Sequence, residues 1–172
     1  MFEKITLIII LANTLFADVV SVKEYSIILE RMSYRQELVM EEIDDTCRPY
    51  DLSLTCVAIS LKESQLGKWA LNPTTGDYGV MHINLKTFMR DNKLKESYYN
   101  KLYYASLLTR DDNFNINAGI KNLLHWKKKH RGNWRKMVGS YNAGNTPNKQ
   151  YAADVLNALR AYKYWKKKHI DR

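Results

Sequence analysis

An all-α domain is what this sequence predicts, and three observations carry the prediction. Apolar residues in its longer segments recur at three- and four-residue spacing, the period of one helix face. No stretch alternates apolar and polar side chains over a useful strand length. Three of the seven glycines and one of the three prolines fall in one stretch, residues 67–79, which separates helical segments instead of interrupting them.

Taken in order, the chain opens with MFEKITLIIILANTLFADVV, in which Lys4 precedes an apolar run from Ile5 to Phe16 and Ala17 offers a small residue for cleavage. This is the layout of a secretory signal peptide over residues 1–17, leaving residues 18–172 as one domain. The run is shorter than the ~20 residues of a membrane-spanning helix, although a retained N-terminal anchor is the competing reading. Residues 24–46 are compatible with a helix, which Pro49 ends; Asp51 is then positioned to cap a helix running from Leu52 to Gln65. In that helix Leu54, Val57, Ala58 and Leu61 share a face, and Glu63 lies near its C-terminal end. Residues 67–79 read as turns. Residues 94–108 and 115–129 read as helices, Gly132 as a break, 134–140 as a shorter helix followed by the loop YNAGNTPN, and 151–168 as the last helix.

The formal net charge of +9 from 27 basic and 18 acidic residues favours encounter with polyanions. An exported chain meets an anionic cell wall sooner than nucleic acid, and no nucleic-acid partner is expected. Lys127–Lys129 and Lys166–Lys168, beside Trp126 and Trp165, have the interleaving that grips single strands, yet they equally suit the C-terminal pole of a helix. Cys47 and Cys56 are nine positions apart; in an oxidising compartment they can form a disulfide, and otherwise they are two buried thiols. Two cysteines do not make a metal site, and no CxxC or HExxH pattern supplies further ligands, so no metal and no cofactor are expected.

Glu63 is the first candidate for chemistry. A carboxyl group ending an apolar helix, near Leu61, Leu66 and Trp69, is open to desolvation, which favours the protonated form that a general acid needs. A solvent-facing glutamate at a helix end is the plainer reading. Asp77, in the turn Thr-Gly-Asp-Tyr-Gly, would complete a pair of carboxylates suited to glycoside cleavage, but aspartate also serves any tight turn. Aromatic and amide side chains suited to sugar rings gather in the same regions: Trp69, Tyr78, Tyr141, Asn142 and Asn145. His82 follows Gly79-Val80-Met81 and reads as a cleft residue or a core histidine.

Glu63-Ser64, Gly79-Val80-Met81-His82-Ile83-Asn84 and Ser140-Tyr141-Asn142-Ala143-Gly144 resemble, in order, the three short motifs of the soluble-type lytic transglycosylase (SLT) domain of the lysozyme-like superfamily. Asn115-Ile116-Asn117-Ala118-Gly119 is similar to the helix between the second and third motifs, and Tyr151, Ala152 and Val155 to the last family helix. The resemblance covers about residues 45–160.

What the resemblance implies is a helical fold like that of goose-type lysozyme, with a long groove for the glycan strand of peptidoglycan. It also implies cleavage of the β-1,4 bond after N-acetylmuramic acid without water as the final nucleophile. Glu63 would protonate the leaving oxygen and then take a proton from the C6 hydroxyl, closing a 1,6-anhydro ring. Ser64 would place the acetamido group or orient Glu63, and Met81 would line the groove. Tyr141 and Asn142 would contact sugar or support Glu63, and Tyr151 would approach it through its hydroxyl.

His82 stands where the family usually has glutamine. Asp77 with Tyr78 also resembles the corresponding loop of lysozymes, in which an aspartate supports hydrolysis, so a muramidase using Glu63 and Asp77 is the first alternative. A wall-binding assembly factor without activity is the second. The small size is like that of members that open the wall for a secretion or conjugation apparatus, so the expected setting is the periplasm or cell envelope and the expected state a monomer.

Overall fold

The structure, a computed structural model, describes residues 19–169. The expected signal segment lies outside the described residues. Within them the chain runs through helices α1 (Val22–Glu30), α2 (Tyr34–Cys47) and α3 (Ser53–Glu63), three two-residue strands, and then helices α4 (Leu85–Asp91), α5 (Tyr98–Arg110), α6 (Asp112–Lys129), α7 (Trp134–Ala143) and α8 (Lys149–His169). No helix among the described residues is long and apolar enough to cross a membrane.

Where one helix was expected over 24–46 there are two. Ser33 restarts the helix by a capping box: its hydroxyl accepts the Gln36 N–H, and the Gln36 side chain accepts the Ser33 N–H at 3.0 Å. Ser21 and Glu24 do the same for α1. Asp51 is not the cap of α3. It closes a short 3₁₀ turn, Arg48–Tyr50, in a left-handed conformation with its N–H on the Arg48 carbonyl, so Leu52 occupies the cap position without a side-chain bond. Helix α4 was not foreseen; Asn84 starts it by accepting the Thr87 N–H at 3.1 Å. Residues 141–143, expected in a loop, continue α7.

The turn-rich stretch contains a small antiparallel sheet in the order β1 (Leu71–Asn72), β2 (Asp77–Tyr78), β3 (Ile83–Asn84), with Leu71 opposite Tyr78 and Tyr78 opposite Ile83. Strands this short show no alternation in sequence.

Helix α3 is the axis of the domain. Every residue from Thr55 to Leu61 is buried, because α2 and α8 pack along it while α1 and α7 pack on α8. A helix apolar on all sides is what such enclosure selects. Helix α8 is tied to α2 by charge as well as contact: Asp44 accepts Lys166 Nζ at 3.0 Å on both oxygens, Arg48 at 2.8 Å and the Tyr162 hydroxyl at 3.2 Å. Lys168 is bound to Glu30 at 2.8 Å. Two lysines of the C-terminal basic run therefore act in helix docking.

Candidate active site

Helix α3 ends on Glu63, and the chain leaves it through two consecutive left-handed residues, Gln65 and Leu66, before Gly67. Non-glycine residues in that region are held there by surrounding bonds. Gln36 donates to the Gln65 carbonyl at 2.9 Å, Leu66 N–H reaches the Ser60 carbonyl, and Trp69 N–H reaches the Ser64 carbonyl. The turn is thus pinned on both sides, and Glu63 projects from its rim with 19% of its side chain exposed.

The loop 79–82 is held against this helix end. Ser64 Oγ donates to the Val80 carbonyl at 2.7 Å and Ser60 Oγ to the same oxygen at 2.9 Å, while Ser64 Oγ accepts the Gly67 N–H. From the opposite side Asn115 accepts the Met81 N–H at 2.7 Å. Gly79 has φ +76°, and a Cβ there would lie 2.1 Å from both the Asn115 amide nitrogen and the Leu108 carbonyl. Only glycine fits. The Tyr141 hydroxyl donates to the Met81 carbonyl at 2.8 Å, bringing the end of α7 to the same loop.

These elements enclose a groove of about 1030 Å³ whose lining includes Glu63, Asp77, His82, Asn84, Phe88, Lys121, His125, Trp126, Tyr141, Asn142 and Asn145. The lining residues come from the end of α3, the β-hairpin and its loop, α4, α6 and the end of α7. His82 Nδ1 lies 3.3 Å from Glu63 Oε2, and His82 Nε2 lies 2.7 Å from the Trp69 carbonyl. Burial disfavours the imidazolium, but the bonds to Glu63 and Trp69 and the charges of Glu63 and Asp77 outweigh it, leaving the His82 pKa raised. Asp77 Oδ1 accepts Asn84 at 2.9 Å and Oδ2 accepts the Thr75 hydroxyl at 2.5 Å.

The expected residues fall into two groups. Glu63, Asp77, His82, Tyr141 and Asn142 meet at the groove. Ser64, expected to place the acetamido group or orient Glu63, and Met81, expected to line the groove, are fully buried. Ser64 lies one turn beyond Ser60 on the same helix face and braces the loop, and the Met81 side chain packs over Gly119. Tyr78 faces a smaller pocket of about 330 Å³ behind the hairpin. Tyr151 is buried, its hydroxyl near Glu63 but without a hydrogen bond of normal geometry; burial and then the Glu63 charge hold its pKa well up. Trp69 is largely exposed and serves the site through its carbonyl.

Cys47 and Cys56 are adjacent as expected, but both are free and buried in the structure, and the hydrogen bond with Cys47 and burial push the Cys56 thiol up. Missed in the sequence were Asn115 as the brace of the loop, Thr75 and Asn84 as partners of Asp77, and Tyr25, whose buried hydroxyl carries no partner and feels the charges of Asp154 and Glu63. The Asn-Ile-Asn-Ala-Gly segment was the available signal for Asn115; Tyr25 had none.

The family model described as transglycosylase SLT domain matches residues 43–163. This chain belongs to that family. Comparison with curated proteins and with solved structures gave no match. The matched SLT span runs from within α2 to within α8, so it takes in Glu63, the braced loop, the hairpin and the groove, while α1 with Tyr25 lies before it. As an SLT-domain enzyme the protein is a lysozyme-like helical domain acting on glycosidic bonds of peptidoglycan.

Proposed function

We propose that this enzyme cleaves the β-1,4 bond between N-acetylmuramic acid and N-acetylglucosamine without hydrolysis, giving 1,6-anhydromuramoyl ends, with Glu63 as acid and then as base. The observation that carries the reading is the placement of one half-buried carboxyl group at the end of α3, lining the groove with its Oε2 3.3 Å from His82 Nδ1. A glycosidic oxygen leaves only when protonated, and Glu63 is the group at hand to protonate it. The resulting carboxylate then accepts the C6 hydroxyl proton as that oxygen bonds to C1, so one residue serves both steps.

Asp77 lines the same groove, which keeps a muramidase as the second reading. Against it, both Asp77 oxygens already accept bonds from Thr75 and Asn84, the work of a residue holding a hairpin. Tyr141, Asn142 and Asn145 in the same lining suit the flat faces and acetamido groups of a glycan. The setting we propose is the periplasm or cell envelope, reached through the N-terminal signal segment, with the enzyme opening the wall locally beside an envelope secretion or conjugation apparatus.

The test is to incubate the protein and its Glu63→Gln variant with purified peptidoglycan and identify the released ends by mass spectrometry. Anhydro ends from the wild type alone are expected. Reducing muramic ends would assign hydrolysis and a role for Asp77. Binding by both proteins with no cleavage would leave a wall-binding assembly factor.

A further inference from the structure

We infer that His82 is the proton partner of Glu63: with its Nε2–H committed to the Trp69 carbonyl, its Nδ1 shares one acidic proton with the Glu63 carboxyl group. The inference rests on Glu63 being the acid. It concerns the motif position at which this chain has histidine where the resemblance leads to glutamine.

A neutral imidazole carries one N–H, and a carbonyl oxygen only accepts. The 2.7 Å contact with Trp69 therefore places the ring proton on Nε2. Nδ1 is left with a lone pair 3.3 Å from Glu63 Oε2. A lone pair against a carboxylate repels, and an imidazolium N–H against a protonated carboxyl oxygen gains little. The contact is attractive when a single proton lies between the two atoms, on either side. Little water competes for it, since 9% of the His82 side chain and 19% of the Glu63 side chain are exposed.

The neighbouring elements leave that proton with this pair. The hairpin contributes Asp77, whose charge favours its retention. Tyr141 from α7, half-buried, and Tyr151 from α8, buried, are phenols held well above their usual range, hence neutral. Tyr25 from α1 is raised likewise, first by burial and then by Asp154 and Glu63. On the open side Lys121 and His125 of α6 line the groove, with Lys121 bound to Asn92. In α4 the Arg90 charge is answered by Asp91 at 2.9 Å. A glutamine in place of His82 would bond the carboxyl group but hold no proton.

The proton balance closes. The shared proton leaves Oε2 for the glycosidic oxygen as the C1–O bond breaks and its electron pair goes to that oxygen. The C6 hydroxyl oxygen then bonds to C1, and its proton returns to the Glu63 carboxylate. The pair ends with the one proton it began with. With two protons, the imidazolium opposes the positive charge that develops at C1. With none, there is no acid. Activity follows the singly protonated pair, and its alkaline limb lies above the ordinary imidazole value of about 6.5.

The test compares the pH dependence of muropeptide release by wild type and H82Q, beside nitrogen-15 spectra of the histidine-labelled protein and its E63Q variant. The expected results are an alkaline limb at least about one pH unit lower in H82Q, leaving about a tenth or less of the wild-type rate at pH values above both limbs. The spectra should give an Nε2–H tautomer for His82 and a His82 pKa that falls in E63Q. Coincident pH profiles, an Nδ1–H tautomer, or a His82 pKa indifferent to E63Q would each overturn the proton partnership. Cleavage retained by E63Q would instead remove Glu63 as the acid, an outcome distinguishable because the spectra need no turnover.

Discussion

The Asn115 side chain binds the Met81 N–H at 2.7 Å and, through its amide nitrogen, the Tyr78 and Leu108 carbonyls at 2.7 and 3.0 Å. One fully buried side chain thus satisfies three main-chain groups on two segments of the site. Truncation leaves all three unpaired in a dry environment, each costing about 1–3 kcal/mol. Asn115→Ala should therefore lose about 3 kcal/mol or more, roughly 6–12 °C in Tm for a domain of this size. A melting curve within 2–3 °C of wild type would mean that the loop is held by Ser60, Ser64 and Tyr141 alone.

Tyr25 presents the opposite case. Its ring is buried in the core, yet the hydroxyl has no partner. An unpaired buried hydroxyl costs about 1–3 kcal/mol, whereas phenylalanine fills the same space without that penalty. Tyr25→Phe is expected to raise the urea midpoint, by about 1 kcal/mol in stability. A drop of that size would show that an ordered water bonds the hydroxyl and belongs to the structure behind Glu63.

These two residues also mark what was legible in the sequence. Glu63 and Gly79 announce themselves, one by ending an apolar helix and the other within a short motif, and both lie where that reading put them. The inward aim of Ser64 was legible too, since it follows Ser60 by one helical turn and so shares its buried face. The break at residues 31–33 was encoded in Ser33 and Gln36, a capping pair outweighed by apolar residues on either side. Asn115, by contrast, acts on backbone 34 and 37 positions away. The hairpin that carries Asp77 has strands of two residues, whose pairing is imposed by their neighbours. Contacts of that range depend on how helices pack, which local pattern does not report.

The cysteine pair carries a prediction about compartment. Cys47 ends α2 and Cys56 lies in α3, side by side and buried, with the Cys56 thiol pushed up and so poor in thiolate. Protein made in a reducing cytoplasm is expected to react with iodoacetamide only after unfolding. Exported protein is expected to carry the bridge, to be lighter by two hydrogens, and to resist alkylation even when unfolded. The bridge would add about 2–3 kcal/mol. Full alkylation of unfolded exported protein would exclude it.

Asp44 should make the domain acid-sensitive. It is buried, which alone would raise its pKa, but bonds from Arg48, Lys166 and Tyr162 outweigh burial and hold it below its ordinary value of 3.8. A carboxyl group lowered by folding stabilises the fold above its unfolded pKa, and the contribution is lost as pH falls through the folded value. In Asp44→Asn an amide N–H faces the Lys166 ammonium or the Arg48 guanidinium, and the anchor between α2 and α8 loses its charge. Hydrogen bonds to charged groups are worth about 1.5–3 kcal/mol, so the variant should be less stable by about 2–3 kcal/mol at pH 7. Urea titrations at stepped pH should give a gap between wild type and variant that is constant from pH 7 to about pH 5 and shrinks below about pH 4, where Asp44 of the unfolded wild-type chain begins to protonate ahead of the folded one. A gap that stays constant to pH 2 would mean that the anchor works through shape and neutral hydrogen bonds, with the charge of Asp44 contributing nothing.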